Sequence, residues 1–286
     1  MTGLDLRPLS IGEILDRTFS LYRRHFLLFI GIAGIPHLLT LAVGLLQVWF
    51  GHAPLVVDRR SGGLVFHQST GLTLVFQILA VIVGIIVYLW SQGATVFAVT
   101  ELYLGRQTSI SACLRRVWGK LASLFGVVVL NGLAILGALL LFIIPGVYVA
   151  CRLLVCVPSA LIEGRGPRDS LSRSWHLTRE YAGRAFVLYL LYLVLAMGIG
   201  LLLGLPIGFA LAAARNDPAA LRTWLAAQQV LNVVVTALVT PIILIGTSVF
   251  YFDLRVRQEA FDLQFMMDPT SERIAPTGGS ATSILS

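Results

Sequence analysis

FLLFIGIAGIPHLLTLAVGLLQVWF, residues 26–50, runs for 25 residues without an Asp, Glu, Lys or Arg. As a helix rising about 1.5 Å per residue it would be about 37 Å long, enough to cross the roughly 30 Å hydrocarbon core of a bilayer. Its apolar side chains fall on every face of a helical wheel, unlike the single stripe of a surface helix. This stretch reads as a membrane span.

The same reading, moved along the chain, finds five more spans at about 72–99, 121–143, 145–162, 185–213 and 223–252. Composition agrees: hydrophobic residues make up 57% and charged residues 12%, with a mean hydropathy of +0.86. A soluble domain carries about 25% charged residues. The expected fold is therefore all-α and polytopic, a single six-span membrane domain over 1–267. Only Pro145-Gly146 separates the third and fourth spans, which predicts an antiparallel helical hairpin turning there. Residues 51–70, with Gly51, Pro54, Gly62 and Gly63, read as a loop, and Asn216-Asp217-Pro218 as a tight turn. The tail 268–286 is polar and rich in Gly, Ser and Thr, so disorder is expected there.

Basic residues give the orientation. Before the first span, between two and three, between four and five, and after six lie sixteen Arg and Lys; the opposite side has Arg59, Arg60, Arg215 and Arg222. That asymmetry predicts cytoplasmic termini, and an even span count requires both on one side. The setting expected is a bacterial cytoplasmic (inner) membrane. A net charge of +7 then points to anionic membrane lipids, not nucleic acid, for which no long basic tract or motif is present. Residues 1–25 contain Asp5, Glu13 and Asp16 and do not resemble a cleavable leader. Cys113, Cys151 and Cys156 have neither disulfide nor metal spacing, so no metal or other cofactor is expected.

A short signature, Leu-x-Arg-x-aromatic, stands ahead of each odd span: LDRTF at 15–19, LRRVW at 114–118 and LSRSW at 171–175. On a wheel, apolar stripes oppose charged faces: Ile11, Ile14, Leu15, Thr18 and Tyr22 in the first, Cys113, Leu114, Val117 and Trp118 in the second, Leu171, Trp175, Thr178, Ala182 and Phe186 in the third. They read as interfacial helices, with Arg17, Arg116 and Arg173 towards lipid phosphates and Phe19, Trp118 and Trp175 at headgroup depth. Their recurrence suggests a threefold repeat of interfacial helix plus hairpin. The competing reading is that any inward-starting span tends to have Arg and Trp before it.

RPLSIGEILDRTFSLYRRHF (7–26), IPGVYVACRLLVCVPSALIEGRGPRDSLSRSWHLT (144–178) and YFDLRVRQEAFDL (251–263) together resemble the bacterial membrane-domain family named for glycerophosphoryl diester phosphodiesterase. The resemblance implies a six-span helical domain. The phosphodiesterase activity of the name belongs to a separate soluble barrel, for which this chain has no room.

Arg152 is the one basic residue inside a span, about 10 Å past the Pro145-Gly146 turn by helical rise. It must face the bundle interior or water. One reading has it hydrogen-bonded to carbonyls and a polar neighbour such as Asn131, Asn232, Gln77 or Gln92. The other makes it, with Asn131, a site for an anion or lipid phosphate. Glu163 and Glu101, at span ends, read as local ion-pair partners. Gly200, Gly204 and Gly208 form a small-residue face for a close helix neighbour, within the chain or in a second copy. No carboxylate lies deep in a span and no catalytic motif is present. The leading expectation is a non-enzymatic, lipid-contacting scaffold or adaptor. A transport or lipid-handling protein using Arg152 comes second, and an enzyme last.

Overall fold

Ser10 opens the first helix with a reciprocal cap: its hydroxyl accepts from the Glu13 amide while the Glu13 carboxylate accepts from the Ser10 amide. In the computed structural model, which describes residues 8–50, 55–57, 64–66, 71–214 and 217–259, that cap starts α1 (Ile11–Arg24). There follow α2 (Phe26–Phe50), α3 (Gly71–Tyr103), α4 (Ile110–Trp118), α5 (Leu121–Leu141), α6 (Ile143–Arg152), α7 (Cys156–Glu163), α8 (Pro167–Leu177), α9 (Ala182–Ala213) and α10 (Pro218–Glu259). Six segments among the described residues are long and apolar enough to cross a membrane: Phe26–Trp49, Leu74–Tyr103, Leu121–Leu141, Ile143–Glu163, Ala182–Ala213 and Ala219–Glu259. Among the described residues the fold is all-helical but for one antiparallel hairpin, β1 (Leu55–Val57) with β2 (Leu64–Phe66), inside the segment expected to be loop. The tail expected to be disordered lies outside the described residues.

The order short helix, span, span occurs three times, and the packing repeats with it. Helix α4 lies on α3, α8 on α7, and α1 closes the ring by packing on α10. The last helices of the three units, α3, α7 and α10, meet one another at the centre. Burial is concentrated there: Ala94–Val99, Cys156–Leu161 and Leu244–Leu254 are buried throughout. Towards the opposite end the helices turn large apolar side chains outward, among them Leu140, Phe142, Ile144, Leu202 and Phe209. Such surface is costly in water and normal against acyl chains. Where α9 meets α10 the fit is close. A Cβ on Gly246 would lie 1.4 Å from the Tyr192 hydroxyl, so the ring occupies the notch that glycine leaves.

Two expectations about the third and fourth spans are corrected. The chain reverses at Phe142, which is extended (φ −165°, ψ 158°), and not at Pro145-Gly146. Pro145 lies in the first turn of α6, where a missing N–H costs nothing, and Gly146 packs against Leu139. The fourth span is also not one helix but two, broken at Leu153–Val155. Pro158 has no N–H for the Leu154 carbonyl, and Cys156 donates back to Leu153. The Arg152 carbonyl, which Cys156 would otherwise serve, instead accepts from the hydroxyls of Ser174 and Thr178, each at 2.9 Å.

Candidate functional site

The three arginines of the repeated signature act alike, as struts from a short helix to the end of a span. Arg17 donates to the Tyr103 hydroxyl at 3.1 Å, at the end of α3. Arg116 pairs with Glu101, also near that end, at 2.7 Å, and its guanidinium stacks 4.6 Å from the Phe97 ring centroid. Arg173 meets Glu163 at the end of α7 at 2.9 Å and also pairs with Glu259 at the end of α10. Burial alone would lower the Arg173 pKa, but hydrogen bonds to Glu259 and Glu163 hold it above the ordinary arginine range. Its side chain is only 14% exposed. Arg173 therefore points into the protein and not towards lipid phosphates as expected.

A second knot ties the chain's beginning to its end. The Asp253 side chain is fully buried and accepts from the Leu9 amide at 2.7 Å. It also pairs with Arg257 at 3.0 Å and Arg184 at 3.3 Å. Both arginines donate in turn to the Leu9 carbonyl. Close by, the Tyr251 hydroxyl donates to Glu163 at 2.7 Å, and Arg165 and Arg255 brace Glu163 and Glu259. Arg165, Arg173, Arg255, Glu163 and Glu259 line an open basin of about 710 Å3. The sequence reading did not single out Asp253, Tyr251 or Glu259. The signal available was an Asp in an apolar run with Arg four residues later.

Arg152 ends α6 and is 4% exposed. Its guanidinium donates to the carbonyls of Trp175 at 2.6 Å and Arg179 at 3.4 Å and to the Tyr148 hydroxyl at 3.1 Å. The Trp175 ring centroid lies 4.4 Å from it and that of Tyr148 5.6 Å, the two rings edge to face. Carbonyl partners belong to the first of the two readings of Arg152; Asn131, Asn232, Gln77 and Gln92 are not among its hydrogen-bond partners. The Asn131 Oδ1 and the Arg152 Nε are buried without hydrogen bonds, and nothing pairs them with each other.

The short helices bury their inner faces in the bundle: Ile14 and Thr18 on α1, Cys113 and Val117 on α4, Ser170, Ser174 and Leu177 on α8. On α8 the expected stripe holds in part: Thr178 is buried and Leu171 packs on the core, but Trp175 is exposed and Ser170 and Ser174 are buried in addition. The Ser174 hydroxyl finds the Arg152 carbonyl across the helix interface, while the Ser170 hydroxyl donates back to the Gly166 carbonyl at the start of its own helix, so both are satisfied when buried. Phe19, Trp118 and Trp175 stay 45%, 63% and 42% exposed at the same arginine-rich end. Gly200, Gly204 and Gly208 have nothing within 4 Å of where a Cβ would stand, so the neighbour weighed within the chain is absent among the described residues.

All three cysteines are buried. For Cys113, burial raises the thiol pKa, and the nearby Thr108 hydroxyl and Arg116 only partly oppose it. We expect a disulfide-exchange reagent at pH 8 to leave the folded chain unlabelled and to modify all three thiols after denaturation.

Six spans with three short helices strapped to one end by arginine bridges define a helical, multi-pass membrane domain. The family model for the membrane domain of glycerophosphoryl diester phosphodiesterase matches residues 124–278, more than half of the chain, and the chain belongs to that family. The match takes in two of the three stretches that carry the resemblance; residues 7–26 lie outside it. No curated protein and no solved structure shows a significant match.

Proposed function

We propose that the protein is a non-enzymatic scaffold or adaptor of a bacterial inner membrane, with both termini cytoplasmic. Its arginine-rich end presents a rigid face to anionic lipid and soluble partners. The observation that carries this reading is the cross-bracing of that end. Asp253 joins the N-terminal segment, α9 and α10; Arg173 joins α7, α8 and α10; Arg116 joins α3 and α4. A face held this firmly suits docking, which is weakened by any need to order the surface on contact. Phe19, Trp118 and Trp175 give it aromatic anchors at its rim. Each arginine near an anionic leaflet adds about 1 kcal/mol of attraction.

Native mass spectrometry of the gently extracted protein tests this. We expect retained anionic phospholipid together with a stoichiometric protein partner. Bare chains that take up neither when anionic vesicles and cell extract are added back would reject the reading.

A second reading, lipid handling through a phosphate held at Arg152, draws on one observation. The Arg152 Nε is buried without a partner, and no carboxylate is among the groups the guanidinium bonds. Against it, three protein groups already take donors of that guanidinium, and the basin lined by Glu163 and Arg173 does not include it.

A further inference from the structure

An apolar crevice of about 420 Å3 runs down the outside of the bundle between Ile82, Ile85 and Ile86 of α3 and Leu121, Ala122 and Phe125 of α5. Leu89, 3% exposed, forms its floor. At its upper end stand two tryptophans. Trp90 donates from its indole nitrogen to the Leu114 carbonyl at 2.8 Å, and the Trp118 ring lies 5.3 Å from it, centroid to centroid. Trp118 is among the most exposed aromatics of the chain. Tryptophan favours the boundary between headgroup and hydrocarbon, so this pair marks the level at which the crevice enters the membrane.

The surroundings of that mouth are cationic. Arg115 is exposed and shares a helix face with Trp118, three residues on. Lys120 lies at the turn into α5, half-buried, its ammonium 3.4 Å from the Leu161 carbonyl. Arg106 and Arg116 share the single carboxylate of Glu101. Four cations against one anion leave a marked positive excess above an apolar slot. The first turn of α5, whose cap residue Lys120 offers no side-chain acceptor, opens at the same level.

From this arrangement we infer that the crevice holds one acyl chain of an anionic phospholipid of the arginine-rich leaflet. The phosphate then lies beside Arg115 and Lys120 at the turn between α4 and α5. Depth favours this occupant over a helix from a second copy. From Trp90 to Ile82 is eight residues, about 12 Å of helix, close to the hydrocarbon half-thickness of one leaflet at about 15 Å. A docked helix would need an apolar groove running the full depth of the bilayer. The cationic mouth would also serve such a helix poorly, whereas it complements a phosphodiester.

This inference rests on the reading that the arginine-rich end faces an anionic leaflet, and the test separates the two. The full-length chain is delipidated in detergent and titrated with phosphatidylglycerol or phosphatidylcholine, with bound lipid counted by native mass spectrometry. The wild type should retain one phosphatidylglycerol per chain in preference to phosphatidylcholine. Ala122→Phe, which fills the slot from an exposed position, should bind it about tenfold more weakly, the change that about 1.4 kcal/mol of lost contact produces. Arg115→Gln with Lys120→Gln should erase the preference for the anionic lipid. Should the crowded variant fold poorly, the unmodified protein gives an independent readout. Phosphatidylglycerol brominated on its acyl chain should quench part of the emission of the five tryptophans, that of Trp90 and Trp118 at the mouth, in a component that saturates near one lipid per chain. Quenching with no saturable component overturns the site. Equal retention by wild type and Ala122→Phe also overturns it while leaving the anionic-leaflet reading intact. Dissociation of a dimer by Ala122→Phe would make the crevice an interface between copies. No preference for phosphatidylglycerol in the wild type would sink both readings.

Discussion

Replacing Asp253 by Ala is expected to destabilise the protein by about 3 kcal/mol, because a buried carboxylate is removed from between two guanidiniums. The side chain is fully buried and holds the Leu9 amide, Arg184 and Arg257. Without it the amide loses its acceptor and two arginines, 21% and 22% exposed, lose their counter-ion. Those arginines still reach some water and the Leu9 carbonyl, which keeps the cost towards the lower end for a broken buried pair. Asp253→Asn should cost less, since its side-chain oxygen still accepts from Leu9. Thermal unfolding in detergent, followed by tryptophan fluorescence, should show a fall in Tm of several degrees for Ala and roughly half of that for Asn. The diagnostic comparison is the triple replacement. If the loss comes from stranded cations, changing Arg184 and Arg257 to Leu in the Asp253→Ala background should recover part of it. A triple variant less stable than Asp253→Ala alone would show that the arginines hold the N-terminal segment through the Leu9 carbonyl by themselves.

Asp253 also illustrates where sequence reading stopped. The spans were legible because hydrophobicity is a local, additive property of a run, and 26–50 forms one helix over those same residues. The three short helices were legible for the same reason, their patterns being contained within four or five turns. What each arginine touches was not, because a partner such as Glu259 lies 86 residues from Arg173 and only the closed ring of units brings them together. The burial of two serines on α8 was hidden likewise: Ser174 looks like a solvent-facing residue until the Arg152 carbonyl appears opposite it, and Ser170 is satisfied within its own helix by Gly166. The break after Arg152 had one visible sign, Pro158, but prolines are tolerated inside other spans here, at Pro36, Pro206 and Pro241. The hydroxyls of Ser174 and Thr178, from a different helix, stabilise the opened turn, and nothing in the span's own sequence announces them.

That break gives Arg152 its character, and Arg152→Leu should be the most damaging single change at the arginine-rich end. The carbonyls of Trp175 and Arg179 would lose a charged donor, each unsatisfied buried group costing about 1–3 kcal/mol. The cation–aromatic contacts with Trp175 and Tyr148 go as well, for a total of about 3–5 kcal/mol. The question is whether the residue is there for this or for an anion. Carbonyls from the last turn of α8 and just beyond carry the partial negative charge of a helix C-terminus, which is a counter-charge for a guanidinium without any carboxylate. On that argument the fold needs Arg152, and lipid binding does not pass through it. Arg152→Lys separates the two: it keeps the positive charge but loses the planar fork that reaches two carbonyls at once. We expect Arg152→Lys to lose more than half of the stability that Arg152→Leu loses while retaining lipid as the wild type does, read by Tm and native mass spectrometry on the same samples. A phosphate site would behave in the opposite way. There Arg152→Leu would fold near normally and release its lipid, and Arg152→Lys would keep much of it, because an ammonium holds a phosphate as a point charge even where it fails to bridge two carbonyls.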